Sequence, residues 1–457
     1  HCNVPLMHIA SAFFQQSLRK FILMQYRFHA ETIYRAAVAA VQPAVLLQQF
    51  LSADENGIRI NNEQLNIQTN SIIVIGAGKA AAAMAQSVET ILGNYMKAGL
   101  ITTKYEHALP LQKINGIEAA HPVPDEQSIL AVQQTIELLQ QTTTGDVIIC
   151  LLSGGASSLW ADVPDGITLN ELQLCFDLLL KSGANISEMN CVRRHLSSVK
   201  GGQLLRYAPN VRWFTLIISD VPGDAIQDIA SGPTSADVTS FADAINIIHK
   251  YHLQQQLPNS VLQHLQKGIN GEIADTVKPG EALLNNVENI IIGSNKTCIA
   301  AAKQKAEELG YTVVVHDEML TGDAADTAQM ILQKVTQYHS TQPTCLLFGG
   351  ETTVTVTGKG KGGRNQHLAL CALNQLAESQ NSTLLAAGTD GTDGPTDAAG
   401  AFADNALRKT AERQQLSIND AIVNNDAYHF FEKVNGLLKT GATQTNVMDI
   451  VIVLIDE

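Results

Sequence analysis

The sequence predicts an α/β protein with two domains. At 457 residues the chain is too long for one compact core, so two domains are expected. Short apolar segments alternate with longer amphipathic ones in the first half, the pattern of a mainly parallel sheet with helices on both faces. A composition of 45% apolar and 16% charged residues is that of an ordinary globular protein.

The first domain is predicted over residues 24–285. A helical pattern from Phe28 to Phe50 is interrupted at Pro43. Strand-like segments then follow, several of them ending in glycine-rich turns: SIIVIG, GLITTK, VIICLL and WFTLIISD. The helical segments between them, such as DEQSILAVQQTIELLQQ, carry acidic residues in the first turn, which indicates a helix N-terminus.

Residues 1–23 and the second half complete the predicted organisation. The first 23 residues lack a clean signal-peptide pattern, so we interpret them as an extension outside the family domain or a cloning remnant. A second α/β rhythm over residues 286–457 begins at NIIIG and continues through YTVVVH, TCLLFGG, STLLAAG and MDIVIVLI. It predicts a smaller C-terminal α/β domain.

Charge and cysteine usage exclude several classes of function. The net charge of −14 arises from 44 acidic and 30 basic residues without a long basic stripe, which argues against nucleic acid as a partner. No segment reaches the ~20 apolar residues of a membrane span, so no membrane partner is expected. Seven scattered cysteines without a CxxC motif favour a reducing, cytoplasmic location.

The segment from Gly349 to Asp404 is the most informative stretch for chemistry. Its glycines allow backbone N–H groups to approach a ligand closely, and clustered N–H groups bind anions. Asp390 and Asp393 supply the hard oxygen ligands that Mg²⁺ prefers. Arg364 supplies a cationic fork for phosphate or carboxylate. Together these residue types suggest phosphate chemistry.

GAGKAA, from Gly76 to Ala81, forms a predicted strand–turn–helix that favours an anion at the helix N-terminus. It also satisfies the relaxed dinucleotide fingerprint GxGxxA, which predicts a nicotinamide enzyme instead. Two features weaken that alternative. The next strand ends in Thr103 and Lys104 rather than in an acidic residue, and Lys79 lies inside the turn. A plain tight turn with a solvated lysine is the third interpretation.

Three further segments could face the same ligand. SGGASSLW, beginning at Ser153, has glycines for an anion-binding nest, although an ordinary turn would look alike. The helix around Arg193 is a basic spot in an acidic protein, or a solvated helix face. Asp220 follows a strand at the carboxyl edge, where open α/β sheets bind ligands, so it could hold a metal, act as a base or form an Asx turn.

Taken together, the motifs resemble those of the class II glycerate kinases, the glycerate 2-kinase or MOFRL family. They occur in the same order from about residue 25 to the end: GAGKAA, SGGASSL, RRHLSSVKGG, SDVPGD followed by SGPT, GGETTV, GKGGRNQ and GTDGTDGPTDAAGA. The resemblance implies ATP-dependent phosphorylation of D-glycerate at its 2-hydroxyl with Mg²⁺. It also implies a Rossmann-like N-terminal domain, a C-terminal MOFRL-containing domain and an active site in the cleft between them.

The resemblance and the residue chemistry together give a set of expected roles. Lys79 and Arg364 match the family's key lysine and arginine, and Asp220 is expected as a catalytic or metal-binding carboxylate. Ser153, Gly154 and Arg193 are expected at the substrate, and Asp220, Asp390 and Asp393 at the metal. The residues expected to contact ATP are Gly76, Gly78, Gly155, Ala156, Ser157, Gly350, Glu351, Gly362 and Gly363.

Two other functions remain open at this stage. Some family members have been labelled hydroxypyruvate reductase, which agrees with the GxGxxA alternative. A non-catalytic sensor of nucleotides or sugar acids is the third hypothesis, disfavoured by the number of charged groups expected at one site. The protein is expected to be a monomer or a homodimer.

Overall fold

The computed structural model describes residues 25–338, 342–377 and 381–455, which form two compact units. The first unit comprises Pro43–Ser294 together with Gln444–Asn446. The second unit comprises the described residues of His1–Gln42, Asn295–Thr443 and Val447–Glu457.

The first unit is built on a parallel sheet of six strands. A small antiparallel sheet precedes it, with strands β1 (Leu51–Asp54), β2 (Gly57–Ile60) and β3 (Glu63–Leu65). The main strands are β4 (Ile72–Ala77), β5 (Met96–Lys104), β6 (Ile114–Ala119), β7 (Val147–Leu152), β8 (Arg212–Ile218) and β9 (Val287–Gly293). Their order is β6-β5-β4-β7-β8-β9, which is the doubly wound Rossmann order. The predicted Rossmann-like N-terminal sheet is confirmed.

Helices cover this sheet and also form a cluster of their own. They are α2 (Pro43–Phe50), α3 (Ala81–Leu92), α4 (Glu126–Gln140), α5 (Ala156–Leu159), α6 (Leu169–Lys181), α7 (Ile186–His195), α8 (Phe241–Lys250) and α9 (Asn259–Ile269). Capping boxes fix the start of several, for example Asp125 with Ser128 at α4. Leu172, Val192 and Leu265 belong to a second apolar core formed by α6 to α9.

The division into units differs from the predicted ranges 24–285 and 286–457. β9 was expected to open the second domain, but it pairs in parallel with β8, where Trp213 lies opposite Val287. The helix α1, over residues 25–40, groups with the second unit, where the hydroxyl of Tyr34 donates to the carbonyl of Gly388 at 2.7 Å. An alternation of strands and helices does not reveal which sheet an edge strand joins.

The second unit contains a mixed sheet rather than a parallel one. Its strands are β10 (Thr312–Leu320), β11 (Thr344–Gly350), β12 (Ser382–Gly388), β13 (Gly400–Asp404), β14 (Leu437–Leu438) and β15 (Asp449–Ile455). The order is β10-β11-β15-β12-β13-β14, and only β10 and β11 pair in parallel. The C-terminal strand β15 inserts between β11 and β12 and is antiparallel to both.

Helices of the second unit alternate with strands only as far as β12, and three of them come in succession between β13 and β14. They are α10 (Asn295–Glu308), α11 (Ala324–Gln337), α12 (Arg364–Gln375), α13 (Asn405–Arg413), α14 (Ile418–Val423) and α15 (Ala427–Val434). In neither unit does a described helix have the length and apolar character needed to cross a membrane. The six cysteines within the described ranges are buried free thiols.

We expect Asn295→Ala to lower the free energy of unfolding by about 2–6 kcal/mol. Asn295 is buried, and its side-chain amide donates to the carbonyls of Val447 at 2.8 Å and Asp449 at 3.0 Å. The substitution leaves two buried acceptors without their donor, which costs about 1–3 kcal/mol each. Urea denaturation measures the change. The control Asn374→Ala, at an exposed position, should change stability by less than about 0.5 kcal/mol, and equal losses in both variants would contradict the argument.

Candidate active site

The loops after β4 and β7 meet at the switch point of the first sheet. β4 and β7 are neighbours, while the strands that follow them in the chain lie on opposite sides. In doubly wound sheets this is the place where ligands bind, at the carboxyl ends of the strands. The GAGK and SGGASS motifs are therefore brought together, as their positions after strands predicted.

The N–H groups of the GAGK loop are used inside the protein. That of Gly78 donates to the carbonyl of Thr102 at 3.1 Å, and that of Lys79 donates to the carbonyl of Gly154 at 2.8 Å. The N–H of Ala80 donates to the hydroxyl of Ser153 at 3.0 Å. A dinucleotide fingerprint needs these groups for a pyrophosphate. The structure therefore gives Gly76 and Gly78 a packing role where the sequence suggested a nucleotide contact.

Close backbone packing explains those two glycines. A Cβ at Gly76 would lie 2.6 Å from the carbonyl oxygen of Leu151 on β7. A Cβ at Gly78 would lie 2.1 Å from the hydroxyl of Ser153, and its φ of 136° is rarely adopted by other residues. Both positions let the two loops touch, which fixes where the half-buried side chain of Lys79 begins.

The SGGASS loop, in contrast, presents N–H groups to a ligand. Within the described ranges, no protein group accepts from the backbone N–H of Gly154, Gly155 or Ser157. Gly155 has the left-handed conformation, with φ 86°. N–H groups that converge around such a residue form an anion-binding nest. This arrangement agrees with the predicted role of the loop.

Charged and polar side chains surround the nest. A Cβ at Gly154 would lie 2.0 Å from Oδ2 of Asp220, so only glycine allows that carboxylate to approach. The amide of Asn446 donates to the same oxygen at 3.3 Å. A Cβ at Gly155 would lie 2.9 Å from the His121 ring and 3.5 Å from Cγ of Lys79.

Sequence reasoning missed His121 and Asn446. His121 follows the carboxyl end of β6, and that position alone could have identified it as a candidate. Asn446 is separated from Asp220 by 226 residues and carries no motif, so no local pattern could have found it.

The basic helix α7 is largely neutralised by its own surroundings. Arg194 is buried against Asp237 at 3.2 Å, and His195 contacts Asp275 at 3.1 Å. Burial lowers the pKa of Lys200 to about 8, and its ammonium donates to a backbone carbonyl. Arg193 lies over the Phe176 ring at 5.2 Å, so its expected role at the substrate stays a prediction.

Arg364, in the second unit, is the first residue of α12. Asp449 accepts from Nε at 2.6 Å and from Nη2 at 2.9 Å, and Glu351 lies 2.8 Å from Nη1. Burial opposes the charge of Arg364, but the two carboxylates outweigh it and raise the pKa of the guanidinium. The fork is therefore held rigidly, with one N–H on each terminal nitrogen left over. Glu351 is a partner of Arg364 here, whereas the sequence suggested an ATP contact.

The glycine-rich loop before Arg364 is only partly open to a ligand. Asn425 accepts from the N–H of Gly358 at 2.9 Å, and Asp426 accepts from that of Lys361 at 2.9 Å. In the described chain, no acceptor is recorded for the N–H of Gly362 or Gly363. Gly362 and Gly363 are the two residues of this loop that were expected to contact ATP, and that role stays a prediction. Gly350 instead packs on β10, where a Cβ would lie 2.3 Å from the carbonyl oxygen of Leu320.

The aspartates that were expected to bind metal have other contacts. Asp393 is buried and accepts from the backbone N–H groups of Asn365 at 3.1 Å and Gln366 at 2.8 Å, so it caps α12. Oδ1 of Asp390 accepts from the N–H of Thr392 at 3.1 Å in an Asx turn. The described residues contain no group of three or more His, Cys, Asp and Glu side chains suited to a metal ion.

A cavity of about 570 Å³ lies in the first unit, away from the GAGK and SGGASS loops. It is lined by the end of α7, by α9 and by the loop after α5, for example by His195, His264 and Asp165. None of its lining residues belongs to a glycine-rich loop after a strand. Size alone therefore does not identify the reacting site.

By its strand order, the first unit belongs to the doubly wound α/β class, in which ligands bind at the topological switch point. Comparison with known proteins is more specific. Residues 29–266 match a domain of unknown function, DUF4147, and residues 344–449 match the MOFRL family.

Whole-chain relatives agree with this match. A Pyrococcus horikoshii protein named glycerate 2-kinase is 39% identical over 92% of this chain and 95% of its own. The crystal structure of a Thermotoga maritima glycerate kinase covers 96% of this chain and 100% of its own, with a TM-score of 0.81 and 35% identity. An Agrobacterium vitis relative, provisionally named hydroxypyruvate reductase, is 35% identical over 93% of each chain. The chain belongs to the MOFRL-containing glycerate kinase family, as its motifs predicted.

The buried cap Asp393 should make stability depend on pH. Burial raises the pKa of its carboxyl from 3.8 to about 6, so folding favours the protonated form. That contribution is complete below pH 4 and is lost as the pH rises through about 6. Between pH 4 and 7, wild type should lose roughly 2–3 kcal/mol of unfolding free energy relative to Asp393→Asn, at about 1.4 kcal/mol per unit of pKa. Urea denaturation across this range measures both proteins, and parallel pH profiles would contradict the argument.

Proposed function

We propose that the protein transfers the γ-phosphoryl group of ATP to the 2-hydroxyl of D-glycerate, giving 2-phospho-D-glycerate. Membership of the glycerate kinase family supports the reaction class. The observation that carries the proposal is the SGGASS nest, whose open N–H groups lie beside Lys79 and Asp220 at the switch point. Backbone donors, a cation and a carboxylate are the groups that phosphoryl transfer to an alcohol requires.

Each group of the first unit has a proposed task. The N–H groups of Gly154, Gly155 and Ser157 bind an anionic group, and Lys79 neutralises charge that develops on the transferring phosphoryl group. Asp220 accepts the proton of the glycerate hydroxyl or holds the metal, and the Asn446 amide orients its Oδ2. Catalysis in such reactions consists mainly of positioning and charge neutralisation, so the rigid contact between the two loops has a direct function.

Arg364 has a proposed task at a phosphate or a carboxylate. The carboxylates of Asp449 and Glu351 fix its plane and offset its charge. The two N–H groups that remain can still bind an oxyanion in a fixed geometry. A lysine at this position could not reproduce that fork.

Mg²⁺ fits the chemistry of the residues present. Mg²⁺ usually binds one or two carboxylates together with substrate phosphates, rather than a cage made entirely of protein ligands. Asp220 of the first unit is the proposed carboxylate, and Asp390 of the second unit is the alternative, while both oxygens of Asp393 already accept from backbone N–H groups. When bound, the ion would neutralise charge on the phosphates.

Hydroxypyruvate reduction is the second candidate, because GxGxxA follows β4 and one relative has that provisional name. The internal hydrogen bonds of Gly78, Lys79 and Ala80 argue against it, since they occupy the N–H groups that a dinucleotide would need. β5 also ends in Lys104 rather than in an acidic residue that could bind the ribose.

The proposed setting is a reducing cytoplasm, because the six described cysteines are buried thiols. The proposed assembly is a monomer or a homodimer, as expected from the sequence. No part of the proposed chemistry depends on which of the two it is.

A two-arm assay tests the reaction. With D-glycerate, ATP and Mg²⁺, we expect ADP to form in proportion to a 2-phosphoglycerate product, because the nest, lysine and carboxylate suit phosphoryl transfer. With hydroxypyruvate and NADH or NADPH, absorbance at the nicotinamide band should stay constant. Coupled detection of ADP and NMR of the product measure the first arm. Oxidation of NAD(P)H without ATP turnover would replace the kinase proposal with the reductase.

Lys79→Ala should reduce kcat by about 10³-fold or more, the effect of removing a charge that stabilises a phosphoryl-transfer transition state. The fold of the loop should survive this substitution, because the hydrogen bond from the backbone N–H of residue 79 to Gly154 does not involve the side chain. The control Lys181→Ala removes an exposed lysine from α6 in the same unit and should leave kcat unchanged. Near-normal turnover in Lys79→Ala, with matching circular dichroism spectra, would assign this lysine to the turn alone.

A further inference from the structure

A second, smaller cavity lies beside the glycine-rich loop of the second unit. Its volume is about 110 Å³, and its walls include Val354, Val356, Gly362, Gly363 and His367. Sites for whole drug-sized ligands occupy roughly 300–1,000 Å³. A space of this size suits one planar ring system rather than a complete nucleotide.

Most of the cavity wall is apolar. Val354, Val356, Pro395 and Ala427 contribute aliphatic surface, and the glycines contribute backbone. Val356 is 68% exposed, which leaves one wall of the cavity uncovered. Glycerate, a small anion with two hydroxyl groups, would lose its hydration against such walls without compensation.

Two polar side chains line this space, and one of them is already engaged: Asn425 accepts from the N–H groups of Thr357 and Gly358, both at 2.9 Å. The imidazole of His367 lines the cavity and is 8% exposed, yet no described residue forms a hydrogen bond with either ring nitrogen. Burial lowers the pKa of His367, so the ring is neutral near pH 7 and offers one donor and one acceptor. Both ring nitrogens are therefore available to a group that enters the cavity.

Groups suited to phosphate adjoin the same cavity. Gly362 and Gly363 line it, and in the described chain no acceptor is recorded for their N–H groups. Lys361 precedes them, with its ammonium over the Tyr428 ring at 4.6 Å. The cavity therefore has two chemically different ends. One is apolar and carries the neutral His367 ring, and the other carries the N–H groups of Gly362 and Gly363.

We propose that this cavity binds the planar heterocyclic base of the nucleotide donor, with the His367 imidazole bonded to the edge of the base and the valines packed on its face. The adjoining N–H groups of Gly362 and Gly363 then lie on the phosphate side. The inference rests on the proposed function in one respect, that the phosphoryl donor is a nucleotide. It adds that the second unit selects the donor through its base.

Calorimetric titration with ADP and with pyrophosphate tests the proposal, because pyrophosphate lacks a base. We expect His367→Leu to weaken ADP binding about 10-fold, through the lost hydrogen bond. Val356→Ser, at an exposed position that can fold normally, should weaken it about 3-fold through lost apolar contact. His367→Gln, which keeps a donor and an acceptor, should stay within about 3-fold of wild type. The control Val238→Ser removes another exposed valine, in the first unit, and should leave ADP affinity unchanged.

Pyrophosphate binding should be the same in all of these variants. The proposal is overturned if ADP affinity is unchanged in both His367→Leu and Val356→Ser, or if pyrophosphate weakens in step with ADP, which would make the cavity a phosphate site. These titrations need no turnover. If wild type binds ADP as expected but does not phosphorylate glycerate, the proposed reaction fails while the base site stands.

Discussion

The contact between the loops after β4 and β7 is the constraint on which the first unit's site depends. Lys79 and Ser153 each donate a backbone hydrogen bond across the gap, and the Ser153 hydroxyl accepts a third. No side chain could lie between the two loops, since a Cβ at Gly76 or Gly78 would collide with β7 or with Ser153. Hydrogen bonds inside the protein use the N–H groups of Gly78, Lys79 and Ala80, whereas those of Gly154, Gly155 and Ser157 have no acceptor among the described residues. The GAGKAA segment matches a dinucleotide fingerprint, but two of its N–H groups hold the SGGASS loop in place.

Several basic side chains are also paired with groups of the protein itself. Among the basic residues noted in the sequence, Arg194, His195 and Lys200 are committed to carboxylates or carbonyls within the first unit. Arg364 is held by two carboxylates but keeps part of its fork. In an acidic protein of net charge −14, attraction of an anionic substrate must come from such local groups. Fixed N–H groups contribute without requiring a counterion of their own.

Much of the fold could be predicted from the sequence. Apolar runs such as VIICLL indicate buried strands, and the glycine turns after several of them mark the edge of the sheet where a ligand is expected. The mixed order of the second sheet could not be predicted, because β15 enters it between two earlier strands by contacts that leave no periodicity. Asp393 looked like a metal ligand because a carboxylate in a glycine-rich loop carries no sign of burial. Asn446 had no local signal, since its partner Asp220 lies 226 residues away.

The position of Asn446 also has a consequence for how the protein is made. Residues 444–446 belong to the first unit, whereas the chain on either side belongs to the second. The ribosome completes the sheet that carries Asp220 long before it reaches Asn446, the donor to that carboxylate. During synthesis the nascent first unit therefore holds Asp220 without this partner. Its completion must wait until nearly all of the second unit has been translated, so that a half-made chain cannot carry the finished site.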